Sequence, residues 1–222
     1  MEDEIKKLPE ILPVSDTPPA KFDWDAIGKN YLADAQLRRC QERFKLACPP
    51  ELHPDVTDWA HPNLARYAAQ IEQVKAWPGG KRGILAAGES GRGKTRAFWH
   101  LLGRLSDESR EIRFFTAHAW FARLGQEVRY GSDDAQGWVE AVAKAPVVFI
   151  DDLGQQALTK AREEWAMQWF FSFLDIRLNH GLPLFVTTNL TAPEIAGRAD
   201  KSGIREDPLL RRLLDLCEVV KF

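Results

Sequence analysis

The sequence predicts a three-layer α/β fold, a parallel sheet covered by helices on both faces, and three observations carry that reading. Short, almost continuous apolar runs recur at Gly83–Ala87, Ile112–Thr116, Val147–Ile150 and Leu184–Thr188, with a fifth at Glu218–Phe222. Strands buried on both faces have this texture, whereas strands with one wet face alternate. Helical patterns of roughly 10 to 20 residues lie between most of the runs. A glycine-rich stretch stands where the first run ends and the next helix begins.

Composition agrees with an ordinary globular chain. Its 222 residues allow one large domain and a short appendage, and 45% hydrophobic with 28% charged residues is close to the average. The net charge of -2 excludes a global attraction to nucleic acid or membrane, so any polyanion contact must be local. The uncharged stretches Trp165–Leu174 and Gly181–Pro193 are shorter than a membrane span, and MEDEIKKLPE has no apolar signal core. The expectation is a cytoplasmic protein without membrane contact. Cys40, Cys48 and Cys217 are odd in number and widely spaced, which fits reduced thiols.

Residues 1–20, with Pro9, Pro13, Pro18 and Pro19, read as a flexible arm. Residues 21–62 read as a helical extension. Within it Ala26–Leu46 is free of proline, spaces Ile27, Tyr31, Leu37, Cys40 and Phe44 at helical intervals, and stops at Cys48-Pro49-Pro50. The main α/β domain is expected to span 63–222. It opens with a helix from about Leu64 to Trp77, capped by Asn63 and ended by Pro78-Gly79-Gly80.

The chemistry begins after the first strand. Gly88-Glu89-Ser90-Gly91-Arg92-Gly93-Lys94-Thr95 matches the Walker A pattern G-x-x-x-x-G-K-[ST] in its required strand, loop, helix order. Glycine lets successive N–H groups crowd into a concave anion site at the positive end of a helix, which suits phosphates. Lys94 is placed to reach between the β- and γ-phosphates of ATP, and the Thr95 hydroxyl to join the shell of a Mg²⁺ ion. The run Val147–Ile150 ends in Asp151 and Asp152, a Walker B pattern. Neighbouring strand residues point opposite ways, so the two carboxylates are given different tasks: Asp151 holds magnesium through water, and Asp152 polarises the attacking water. Asn189, at the tip of Leu184–Thr188, is suited to sense the γ-phosphate. Arg211 and Arg212, just before the last run, offer a fixed planar charge for a phosphate outside their own site.

With those motifs in this order, the chain resembles the AAA+ ATPases of the DnaC-type helicase loaders, a group that includes the IstB-like transposition helpers. The similarity runs from about Phe44 to Phe222, most specifically over VVFIDDLGQQALTKAREEWAMQWFFSFLDIRLNHGLPLFVTTNL, with Glu164, Trp165, Asp175 and Arg177 at the family's pattern positions. The resemblance implies a five-stranded P-loop NTPase core and a homo-oligomer with shared active sites. It makes Arg212 the arginine finger, with Arg211 and Arg205 as further candidates. It implies a hexameric replicative DNA helicase and single-stranded DNA as partners, or in the alternative a DNA transposase. This chain departs from the family at Arg92, where Thr is usual, at Arg96, where His is frequent, and in T-T-N for T-S-N. With the chain ending at Phe222, no C-terminal lid domain is expected.

Two readings from other classes also fit a P-loop: a small-molecule kinase, and a nucleotide-dependent binding protein with little turnover. Arg96, Arg104, Arg110, Arg113, Arg123 and Arg129 with Phe114, Phe115, Trp120 and Phe121 offer a path for single-stranded DNA, although most of the rings have core spacing.

Overall fold

A computed structural model describes residues 24–154, 160–189 and 208–222, so the proline-rich arm and Arg205 lie outside the described residues. The elements in chain order are α1 (Trp24–Ala47), two 3-10 turns (Pro50–Leu52 and Pro54–Val56), α2 (Pro62–Ala65), α3 (Ala68–Lys75), β1 (Gly83–Ala87), α4 (Lys94–Asp107), β2 (Ile112–Thr116), α5 (Ala117–Tyr130), α6 (Ser132–Ala143), β3 (Val147–Asp151), α7 (Lys160–His180), β4 (Leu184–Thr188), α8 (Pro208–Leu216) and β5 (Cys217–Lys221).

The five strands form one parallel sheet in the order β2-β3-β4-β1-β5. Period-two geometry sorts their side chains between two cores. Ile84, Ala86, Val147, Phe149 and Phe185 pack with Phe44, Ile71, Val74 and the apolar face of α4. Leu85, Val148, Ile150, Leu184 and Val186 pack with Trp120, Leu124, Val139, Phe170 and Phe173 of α5, α6 and α7. Both faces of the central strands β1, β3 and β4 are therefore dry, which is why these read as continuous apolar runs, while the edge strands β2 and β5 keep exposed residues. Phe44 and Cys48 at the end of α1 belong to the first core, so the helical extension is seated on the sheet. Polar ties reinforce it: Gln41 Nε2 to Asp107 Oδ1 at 2.8 Å and Arg43 Nη1 to Glu111 Oε1 at 2.5 Å.

Local boundaries differ from the sequence reading in three places. The helix expected at Leu64–Trp77 is two helices, because Tyr67 leaves helical backbone (φ -113°, ψ 22°); its ring packs beneath the Arg92 guanidinium, 5.2 Å from the ring centroid. The cap of α2 is His61, whose Nδ1 accepts the Asn63 N–H at 3.3 Å, so Asn63 contributes its backbone and not its side chain. Finally β3 runs on to Asp151, held by the pairing of Thr116 with Asp151, and β5 begins at Cys217.

Candidate active site

Strands β1, β4 and β3 are adjacent in that order, and their C-terminal tips deliver the loop, Asn189 and the two aspartates to one cavity of about 330 Å³. Ligand sites of parallel sheets form at this edge. The lining includes Ser90 to Arg96, Asp151, Asp152, Thr187 and Asn189, with Leu52 and Leu64 as an apolar flank. Gly93 has φ 90°, and a Cβ there would lie 2.7 Å from the Leu64 side chain, so glycine is needed where the loop turns into α4.

Lys94 is 6% exposed. Its ammonium donates to the Gly88 carbonyl at 2.6 Å, the Glu89 carbonyl at 2.7 Å and Asn189 Oδ1 at 3.1 Å. Burial lowers its pKa, and the charge of Asp151 works against that shift. Asn189 turns its amide nitrogen to Asp152 Oδ1 at 2.6 Å. Its orientation follows from chemistry: the ammonium can only donate and the carboxylate only accept, so oxygen faces Lys94 and nitrogen faces Asp152.

Asp151 accepts hydroxyl protons from Thr95 Oγ1 at 2.9 Å and Thr187 Oγ1 at 2.5 Å. Burial pushes its carboxyl above the ordinary aspartate value, while the two hydroxyls pull it back. Asp152 departs from strand parity. It lies one residue past β3 with φ 56°, a left-handed backbone that turns its carboxylate to the same cavity as Asp151. The two acids still have different partners, Thr95 for one and Asn189 for the other. A thread of hydrogen bonds therefore runs between the loop and both acidic residues.

The remaining residues are more loosely placed. Arg92 donates to the Phe222 carbonyl at 2.7 Å and pairs with Glu89, which ties the loop tip to the end of the sheet. Arg96 reaches the Glu51 carbonyl at 2.8 Å. Arg212 forms a two-pronged pair with Asp175 of α7, Nε to Oδ1 at 2.6 Å and Nη2 to Oδ2 at 3.1 Å, and lies over the Phe171 ring. Arg211 on the same helix is exposed, with no hydrogen bond or ion pair among the described residues. Arg177 is fully buried and donates to the carbonyls of Ala143, Ala145 and Pro183. Glu164 belongs to α7, and its side chain lies outside the described residues. The arginines proposed for a DNA path are mostly matched: Arg104 and Arg110 to Glu108, Arg113 to Glu111, Arg123 to Glu127. Trp120 is fully buried and Phe114 packs on Trp99, so these rings are core.

Sequence reasoning missed Thr187. Its only signal was a buried pair of threonines, Thr187 and Thr188, closing an apolar strand.

No protein-family profile matches the chain, and no curated protein does. Solved structures do match. The DnaC helicase loader is 20% identical, with a TM-score of 0.60 over 78% of this chain and 97% of that one. DnaI is 18% identical, with a TM-score of 0.57 over 79% and 94%. The replication initiator DnaA bound to AMPPCP and single-stranded DNA is 13% identical, with a TM-score of 0.56 over 78% of this chain and 50% of that one. The fold is that of the DnaC-type AAA+ ATPases. A putative primosome component from Streptococcus pyogenes serotype M3 shares it, at 19% identity and a TM-score of 0.52 over 79% and 90%.

Proposed function

We propose that this chain binds ATP at Gly88–Thr95 and hydrolyses it with magnesium. We propose further that it acts in DNA replication, loading a hexameric replicative helicase onto single-stranded DNA. The observation that carries the ATPase reading is the hydrogen-bonded thread from Thr95 to Asp151 and from Lys94 through Asn189 to Asp152, all at one cavity. The cavity is within the range of small-molecule sites. Thr95 and Asp151 present hard oxygen donors 2.9 Å apart, which suits magnesium. The ion would neutralise charge on the β- and γ-phosphates; Thr95 would hold it directly and Asp151 through water. Lys94 would turn its ammonium from the loop carbonyls to the phosphates. Asp152 would draw the proton from the attacking water, and Asn189 would hold that water against the γ-phosphate.

The helicase partner is supported by the likeness to a DnaC helicase loader, and single-stranded DNA by the likeness to DnaA bound to it. Among the described residues no helix is long and apolar enough to cross a membrane, and a cytoplasmic location is part of the proposal. The site is completed in a homo-oligomer by an arginine of a neighbouring copy. Arg212 can serve only by leaving Asp175, whereas Arg211 on the same helix is unencumbered among the described residues.

The test measures particle mass and ATP turnover with and without single-stranded DNA. Turnover that rises with protein concentration supports the shared site. Asp152→Asn keeps ATP binding and loses hydrolysis; loss of binding as well would reverse the two aspartate roles. Arg212→Ala and Arg211→Ala are each mixed with Lys94→Ala, and the true finger is the variant that is inactive alone and regains turnover in the mixture. Turnover only in the presence of a small-molecule acceptor would make the chain a kinase. Capture of a transposase in place of a helicase would make it a transposition helper.

A further inference from the structure

The geometry points to Thr187 as a positioning residue that holds Asp151 and Asp152 in their separate roles, an inference that rests on the ATPase reading above. Thr187 is 2% exposed and sits on β4, between the strand that carries the phosphate loop and the strand that carries the aspartates. A threonine hydroxyl has one proton to give and lone pairs to accept with. Here the proton goes to Asp151 Oδ1 at 2.5 Å, and a lone pair takes the Asp152 N–H at 2.7 Å. The Thr187 carbonyl takes the next amide, Leu153 N–H, at 2.8 Å. Three successive residues leaving β3 thus hang on one residue of β4.

This attachment begins where the ordinary ladder stops. The register of β3 and β4 ends at Ile150 with Val186. Beyond it, strand parity would turn Asp152 away from Asp151. The left-handed backbone at Asp152, φ 56°, defeats parity and brings both carboxylates to the cavity. That backbone is uncommon for residues with a side chain, although aspartate tolerates it, and an anchored N–H holds it in place. Packing does not demand the hydroxyl: Leu184, Phe185 and Val186 fill the same strand with hydrocarbon. A valine at 187 would keep the shape and lose both hydrogen bonds.

The experiment compares Thr187→Val and Thr187→Ser with the parent chain by three readouts. These are affinity for a fluorescent ATP analogue in EDTA, the tightening of that affinity by added magnesium, and kcat with KM for hydrolysis. Thr187→Val should bind the metal-free nucleotide within about twofold of the parent, since the loop is untouched. Its magnesium-dependent tightening and its kcat should each fall roughly tenfold or more, the scale of losing a hydrogen bond to a charged group. Thr187→Ser, which retains the hydroxyl, should recover most of both. Thr187→Ala takes the place of the valine variant if that chain does not fold. The assignment is overturned if the hydroxyl-free variant matches the parent, if metal-free affinity falls as far as kcat does, or if serine fails to rescue. A parent chain that binds no nucleotide defeats the ATPase reading, a result separable from all of these.

Discussion

Each end of the sheet buries a cation, and the two have opposite surroundings. At the C-terminal edge Lys94 is satisfied by two loop carbonyls and Asn189, with Asp151 and Asp152 nearby and a cavity in front. At the N-terminal edge Arg177 is satisfied by three carbonyls from the segments that enter β3 and β4, and its Nε has no partner among the described residues. Burial lowers the pKa of both, of Arg177 to about 10. Burial of a charge therefore does not mark a site by itself. The distinction lies in the neighbours: Lys94 lines a cavity beside two carboxylates, while Arg177 is enclosed among backbone carbonyls.

The largest effect that would break this comparison is on catalysis. Lys94→Ala should lower ATP turnover by on the order of 10² to 10³ or more, the scale of losing one preorganised charge donor, while a thermal melt stays within a few degrees of the parent. Unchanged turnover would place Lys94 with Arg177 among structural cations. Arg177→Met should behave in the opposite way. Three carbonyls lose their donor, at roughly 1 to 3 kcal/mol for each group left unsatisfied, partly offset by removal of a desolvated charge. We expect a net loss of about 3 kcal/mol, which in a chain of this size lowers the melting temperature by roughly 6 to 12 °C. Turnover per folded molecule should be unchanged, and a kcat deficit without a stability deficit would contradict the structural role.

The smallest effect is one of pH. The folded pKa of Asp151 is raised by burial, so ionising it costs stability: its contribution favours folding at acid pH and is lost as pH rises through the raised folded value. Asp151→Asn should therefore be slightly more stable than the parent at pH 7, with the difference vanishing toward pH 3 in urea melts. Arg177 should contribute no slope near neutrality, because it is protonated both folded and unfolded at any pH well below 10.

The parts of the molecule that were legible in the sequence are those whose signal is local. Walker A needs eight consecutive residues, and the strands announce themselves because both faces of the sheet are covered. Asn189 was found because it ends such a strand. What escaped depends on contacts between distant segments. Thr187 acts on residues 35 and 36 positions earlier. Asp152 breaks the alternation used to assign its direction, because its amide is anchored from the next strand. Tyr67 leaves helical backbone with its ring under Arg92, and the imidazole of His61 caps the helix; neither contact leaves a pattern in the sequence. The arginine of the x-R-L position was legible as a charge, but its partner Asp175 lies 37 residues away.

The strand order has a consequence for how the protein is made. β1 carries the phosphate loop, yet its two neighbours are β4 and β5, so Ile84 lies against Phe185 on one side and Glu218 on the other. Pairings separated by such lengths of chain form slowly and late. On the ribosome, β1 would wait for its first flank until β4 had been made and for its second until residue 221 had emerged. A chain stalled before β5 would leave the backbone N–H and C=O groups along one edge of β1 unpaired, a template for pairing with another chain.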